Sequence, residues 1–151
     1  LDGDSMLVRE TTHRFSPLSF HRAMIRQRMP ILFTSAGRAY LAYCGDEERR
    51  QILQLLVAGN DDQARFARNR VLVGRMLDEV RREGYATNEG EWSQQSKIAA
   101  IALPIRHQEH VLACINIVFL KKAVPMPEAV ERYLSPLRAA VEKIESNLKP
   151  K

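Results

Sequence analysis

The chain has 151 residues, 23 Lys plus Arg against 18 Asp plus Glu, and a formal net charge of +5. That length fits one domain whose core needs no disulfide or metal staple, and 45% hydrophobic with 27% charged residues excludes a disordered chain. No apolar run approaches the ~20 residues of a membrane helix, and two widely separated cysteines, Cys44 and Cys114, exclude a disulfide framework and fit a reduced, cytoplasmic protein.

The N-terminal Leu1-Asp2-Gly3-Asp4 is acidic and no signal peptide; without an initiator Met the chain reads as a piece of a longer protein. Residues 6–10 read as a short strand after the Asp-Gly turn, and residues 18–24 as a second. Arg26-Gln27-Arg28 is a polar bend. Thr34 and Ser35 are N-caps for a helix running to about Cys44, in which Ala36, Gly37 and Ala39 permit close approach. Asp46 caps the next helix, with Ile52, Leu53, Leu56 and Val57 on its apolar face, and Asn60-Asp61-Asp62 breaks it. A third helix carries Leu72, Met76 and Val80 at fourfold spacing and stops at Gly84.

Residues 85–88 form a short strand, followed by a polar loop with Glu91 and Trp92. Residues 98–105 and 111–120 are two strands joined by a hairpin turn at His107-Gln108-Glu109-His110. The last helix carries one stripe, Val130, Leu134, Leu137, Val141, Ile144 and Leu148, with Pro136 expected to bend it. Strands, three helices, a hairpin and a helix predict an α+β fold with an antiparallel sheet.

The chemistry searched for is mostly missing. There is no phosphate loop, no dinucleotide fingerprint, no nucleophile elbow, no Cys-x-x-Cys and no His-Glu-x-x-His. His107 and His110 fall on a turn, so they read as solvated residues rather than metal ligands. Cys44 ends a helix, where the dipole disfavours a thiolate, and Cys114 lies in an apolar strand; neither reads as a nucleophile. Asn116 interrupts an apolar strand and needs a partner from protein, water or ligand if that strand is central. In the segment His13-Arg14-Phe15-Ser16-Pro17-Leu18-Ser19-Phe20-His21-Arg22, rings and guanidinium groups alternate. That set suits an aromatic carboxylate, and it also suits a plain amphipathic strand. The basic residues are scattered, with no helix-turn-helix pair, so they read as solvated faces rather than a nucleic-acid surface.

The run Met29-Pro30-Ile31-Leu32-Phe33-Thr34-Ser35-Ala36-Gly37-Arg38-Ala39-Tyr40-Leu41-Ala42 resembles the "Pro-Leu-x-x-Thr-Ala-x-Gly-Lys-Ala-x-Leu-Ala" stretch of the IclR family of bacterial transcriptional regulators. Arg82-Glu83-Gly84-Tyr85, the strand ending Ala102-Leu103-Pro104, and Leu134-x-Pro136-Leu137-x-x-Ala140 fit the same family. Residues 8–16 and 19–24 are most similar to its activators of hydroxyphenylpropionate catabolism.

The resemblance implies the C-terminal effector-binding domain, with a GAF-like, profilin-like curved antiparallel sheet flanked by helices. It implies a DNA-binding winged helix-turn-helix preceding this chain, DNA contact only through that domain, and assembly as a homodimer or homotetramer. It implies no catalysis, no cofactor, no metal and no membrane partner. The family's pocket positions fall on Leu18, His21, Met29, Ser35, Ala36, Asn88 or Glu89, Ala100, Ala102, Asn116 and Val118. From the basic segment itself, Arg14 and Arg22 are the expected anion contacts. The backbone amides of Ser35 and Ala36 would hold a carboxylate at a helix N-terminus. Val118 stands where the family has a Ser, which, with Trp92, points to a larger, partly aromatic acid rather than glyoxylate. A stand-alone α+β enzyme and a basic nucleic-acid-binding module are the competing readings; neither has a constellation in the sequence to carry it.

Overall fold

The computed structural model describes residues 1–12 and 24–148. Two short strands, β1 (Ser5–Leu7) and β2 (Arg28–Pro30), pair antiparallel with Met6 opposite Met29. Four helices come next: α1 (Ser35–Tyr43), α2 (Asp46–Ala58), α3 (Asp62–Arg68) and α4 (Arg70–Glu83). Then come β3 (Ala86–Asn88), a single 3-10 turn (Ser93–Gln95), β4 (Ile98–His107), β5 (His110–Leu120) and α5 (Met126–Asn147). Strands β3, β4 and β5 form a second antiparallel sheet in that order. The expected α+β class is the one observed.

The sheet is sandwiched because its residues alternate. Ile101 and Leu103 of β4 pack with Leu134, Leu137 and Val141 of α5. Ala102, one step out of phase, packs on the other face with α1 and, behind it, Ile52 and Leu56 of α2 and Val73, Leu77 and Val80 of α4. A bulge between Ile105 and Arg106 shifts the register, so that Ile105 faces Ala113 and Arg106 faces Val111. The hairpin closes through the two residues Gln108 and Glu109, with Gln108 at φ 55°.

Helix α1 begins where expected. The Thr34 side chain accepts from the Gly37 N–H, and Thr34 Oγ1 donates to the Pro30 carbonyl. Gly37 is required by a close approach: a Cβ there would lie 2.0 Å from the Ile31 carbonyl oxygen. Gly84, at φ 77°, ends α4 in the left-handed conformation.

Several boundaries differ from expectation. The first strand covers Ser5–Leu7 rather than 6–10, and Arg28 already belongs to β2. The expected strand over 18–24 lies outside the described residues except for Met24, which is not in a strand. Gly45 occupies the N-cap of α2, placing Asp46 inside the first turn, where its charge still favours the helix dipole. The single helix expected after Asp62 is two helices. The Asn69 side chain accepts from the Leu72 N–H and starts α4 afresh. The buried stripe of α4 is Val73, Leu77 and Val80, so Leu72 faces outward at 44% exposure. In α5, Ile144 and Leu148 are exposed and the buried stripe ends at Val141.

Candidate functional site

Of the residues proposed from the sequence, Asn88, Ala100, Ala102, Asn116 and Val118 lie on the α1 face of the sheet. Antiparallel register places Asn88 opposite Ala100, and Ala100 opposite Val118. One step along, Ala86 faces Ala102, and Ala102 faces Asn116. Period two puts all of these side chains on the face that carries α1. The two alanines are buried, Asn116 is half-buried, and Val118 is exposed. Among the described residues β5 pairs only with β4, so Asn116 is not on a central strand there.

Helix α1 packs on this face, and its N-terminus meets the end of β3. The Ser35 backbone N–H donates to Asn88 Oδ1 at 2.9 Å, and both residues are buried. This bond fixes the Asn88 amide, since only its oxygen can accept. The Gly37 N–H is held by Thr34 Oγ1 and the Arg38 N–H by the Thr34 carbonyl. The Ala36 N–H has no hydrogen-bond partner among the described residues. Ser35 itself is 0% exposed, and its hydroxyl has no hydrogen-bond partner among the described residues. A buried hydroxyl without a partner is costly and therefore uncommon. Among the described residues, two donors thus stand without a partner where the helix dipole places positive potential.

Met29, on β2, is half-buried and packs against the core beneath α1. Glu89 is exposed; its N–H donates to Glu91 Oε2, and its carbonyl accepts from Lys121 Nζ. Leu18, His21, Arg14 and Arg22 lie outside the described residues. So Ser35, Ala36, Asn88, Ala100, Ala102, Asn116 and Val118 come together, while Met29 and Glu89 stand at the edge.

Arg38 had no role in the sequence reading. Its side chain is 12% exposed, and Nε donates to the Leu32 carbonyl at 2.9 Å. A second nitrogen donates to the Thr87 carbonyl at 2.7 Å and pairs with Glu91 at 2.9 Å. It ties α1, the end of β3 and the loop after Asn88 into one unit. Gln63 was also missed; its buried side chain accepts from the Leu32 N–H. A nearby open cleft of about 600 Å³ is lined by Arg28, Phe33, Asp61, Gln63 and Trp92 among others. Trp92 belongs to that cleft, and none of the cleft's lining residues is among the sequence-derived pocket positions.

The thiols are unsuited to nucleophilic work. Burial pushes Cys44 up to about 11 and Cys114 up to about 12. Among the described residues no group of three or more His, Cys, Asp or Glu is placed to hold a metal, and no helix is long and apolar enough to cross a membrane.

Residues 1–146 match the family model for the bacterial transcriptional regulator IclR C-terminal domain. The chain belongs to the IclR C-terminal domain family. The C-terminal domain of the E. coli transcriptional regulator KdgR is similar to it at 25% identity over 97% of this chain and 82% of that one, with a TM-score of 0.69. An IclR homologue from Microbacterium hydrocarbonoxydans, complexed with 4-hydroxybenzoate, is 26% identical over 98% of this chain and 57% of that one, with a TM-score of 0.68. An IclR family regulator from Brucella abortus is 25% identical over 85% of this chain and 47% of that one, with a TM-score of 0.69. The chain spans about half the length of the Brucella regulator. The family is one of transcriptional regulators rather than enzymes, which removes the stand-alone enzyme reading.

Proposed function

We propose that this IclR C-terminal domain senses an organic acid, and that the acid's carboxylate sits at the N-terminus of α1, over the floor of Ala100 and Ala102. The observation that carries the reading is a pair of donors with no partner among the described residues, the Ser35 hydroxyl and the Ala36 N–H, at the positive end of a helix dipole. The homologue complexed with 4-hydroxybenzoate supports an aromatic acid. Val118 in the row with Asn88 and Ala100 supports a body with apolar surface, such as 3-(3-hydroxyphenyl)propionate, over glyoxylate.

In the whole regulator a separate winged helix-turn-helix domain reads the operator. Binding favours one arrangement of the subunits of a dimer or tetramer, and so one spacing of the DNA-binding domains. The basic charge of this domain then serves solubility and draws in anions.

Isothermal titration of the domain with 3-(3-hydroxyphenyl)propionate, 4-hydroxybenzoate and glyoxylate tests the reading. Saturable binding of an aromatic acid is expected. Binding of glyoxylate alone overturns the size argument, and binding of none overturns the reading.

A further inference from the structure

We infer that Asn88 is an internal stand-in for the effector's carboxylate, which the effector must displace on binding. The inference rests on the proposed reading of the α1 N-terminus as an acid site, and it adds how that site is kept closed.

Two observations converge. The Asn88 Oδ1 already accepts from the Ser35 N–H at 2.9 Å, so the amide that opens the helix is occupied by a carbonyl oxygen from the protein itself. The Ser35 hydroxyl beside it is fully buried and has no partner among the described residues, so the stand-in satisfies one donor and leaves its neighbour unmet. A carboxylate has two oxygens and about four acceptor positions; in place of the amide it can take both the N–H and the hydroxyl of Ser35. It also brings a full negative charge to a helix end that now holds only an amide dipole. The exchange replaces a neutral hydrogen bond by charge-assisted ones.

The neighbouring contacts limit how far the chain moves. Asn88 is the last residue of β3, and Arg38 holds the chain just before it at Thr87 and three residues after it at Glu91. Displacing Asn88 breaks one tie between the β3 end and α1, while Arg38 of α1 still holds the strand through the Thr87 carbonyl. The motion is therefore a rotation of one side chain and a local shift of residues 88–91, not an unfolding of the sheet.

The closing experiment compares 4-hydroxybenzoate and 3-(3-hydroxyphenyl)propionate binding to wild-type domain and to Asn88→Ala by titration calorimetry. A displaced residue opposes binding, so its removal tightens affinity by about threefold to tenfold, the value of one net hydrogen bond. If Asn88 instead touched the bound acid, N88A would weaken binding by a similar factor, which overturns the inference and leaves the acid-site reading intact. Failure of both proteins to bind either acid overturns the reading and the inference together. Should N88A not fold, nuclear magnetic resonance of the wild type decides: saturation with the acid must move the Asn88 side-chain amide signals and speed their exchange with water. Unchanged or slowed exchange overturns the inference.

Discussion

The Ser35 backbone N–H and the Asn88 side-chain oxygen, 53 residues apart in the chain, meet at 2.9 Å in the interior. This bond joins the start of α1 to the end of β3. Without ligand, Asn88→Ala orphans a buried N–H. The expected cost is about 1–3 kcal/mol, read as a lower urea midpoint at unchanged slope. No loss of stability would mean that water or a neighbour replaces the amide at no cost.

Two glycines in helices have opposite expected outcomes. An Ala at Gly37 drives its Cβ to 2.0 Å from the Ile31 carbonyl oxygen. Gly37→Ala should cost more than about 3 kcal/mol or prevent folding. Gly74, inside α4, has nothing within 4 Å of an added Cβ. Gly74→Ala should stabilise by about 0.5–1 kcal/mol, since only helix propensity changes. Thermal unfolding of the two variants separates them, and a gain at Gly37 would contradict the packing described.

Arg38 holds three segments through a planar fork. Its ion pair with Glu91 is partly solvated and contributes little by itself. The bonds to the Leu32 and Thr87 carbonyls are the stronger part. Arg38→Ala should cost about 2–3 kcal/mol, and Arg38→Lys should not restore it, because an ammonium cannot span both carbonyls. Hydrogen exchange of residues 87–92 should quicken in both variants. Protection equal to wild type would remove Arg38 as the tie.

Burial of Cys44 gives stability a sign at alkaline pH. An unfolded chain ionises this thiol near 9.0, and the folded chain near about 11. Above the unfolded value the unfolded state has lost the proton that the folded state keeps. Stability is therefore full below pH 9 and falls as pH rises towards about 11, by on the order of 2 kcal/mol from this group. Cys44→Ala should flatten that slope even if it lowers stability at neutral pH. An unchanged slope across pH 9 to 11 would place the thiol in water.

Local chemistry was the legible part of the sequence. Thr34 as an N-cap announced α1, Gly84 announced the end of α4, and two β-branched, apolar runs joined at His107–His110 announced the hairpin of β4 and β5. The division of α3 from α4 was not legible, because Asn69 looks like any polar helical residue until its side chain caps the Leu72 N–H. The apolar face of α4 was read one step out of phase because Leu72, Met76 and Val80 form as regular a series as Val73, Leu77 and Val80. For the site, family resemblance named Ser35, Ala36, Asn88 and the small residues of β4, while pattern alone did not. The Ser35–Asn88 bond and the reach of Arg38 depend on which distant segments meet, and no local rule encodes that.

The most direct test of the acid-site account is a crystal structure of this domain soaked with 3-(3-hydroxyphenyl)propionate. The account predicts the carboxylate within hydrogen-bond distance of the Ser35 hydroxyl and N–H and of the Ala36 N–H, with Asn88 turned away and the ring over Ala100 and Val118. A ligand seated instead in the cleft of Arg28 and Trp92, with the Ser35–Asn88 bond intact, would contradict it.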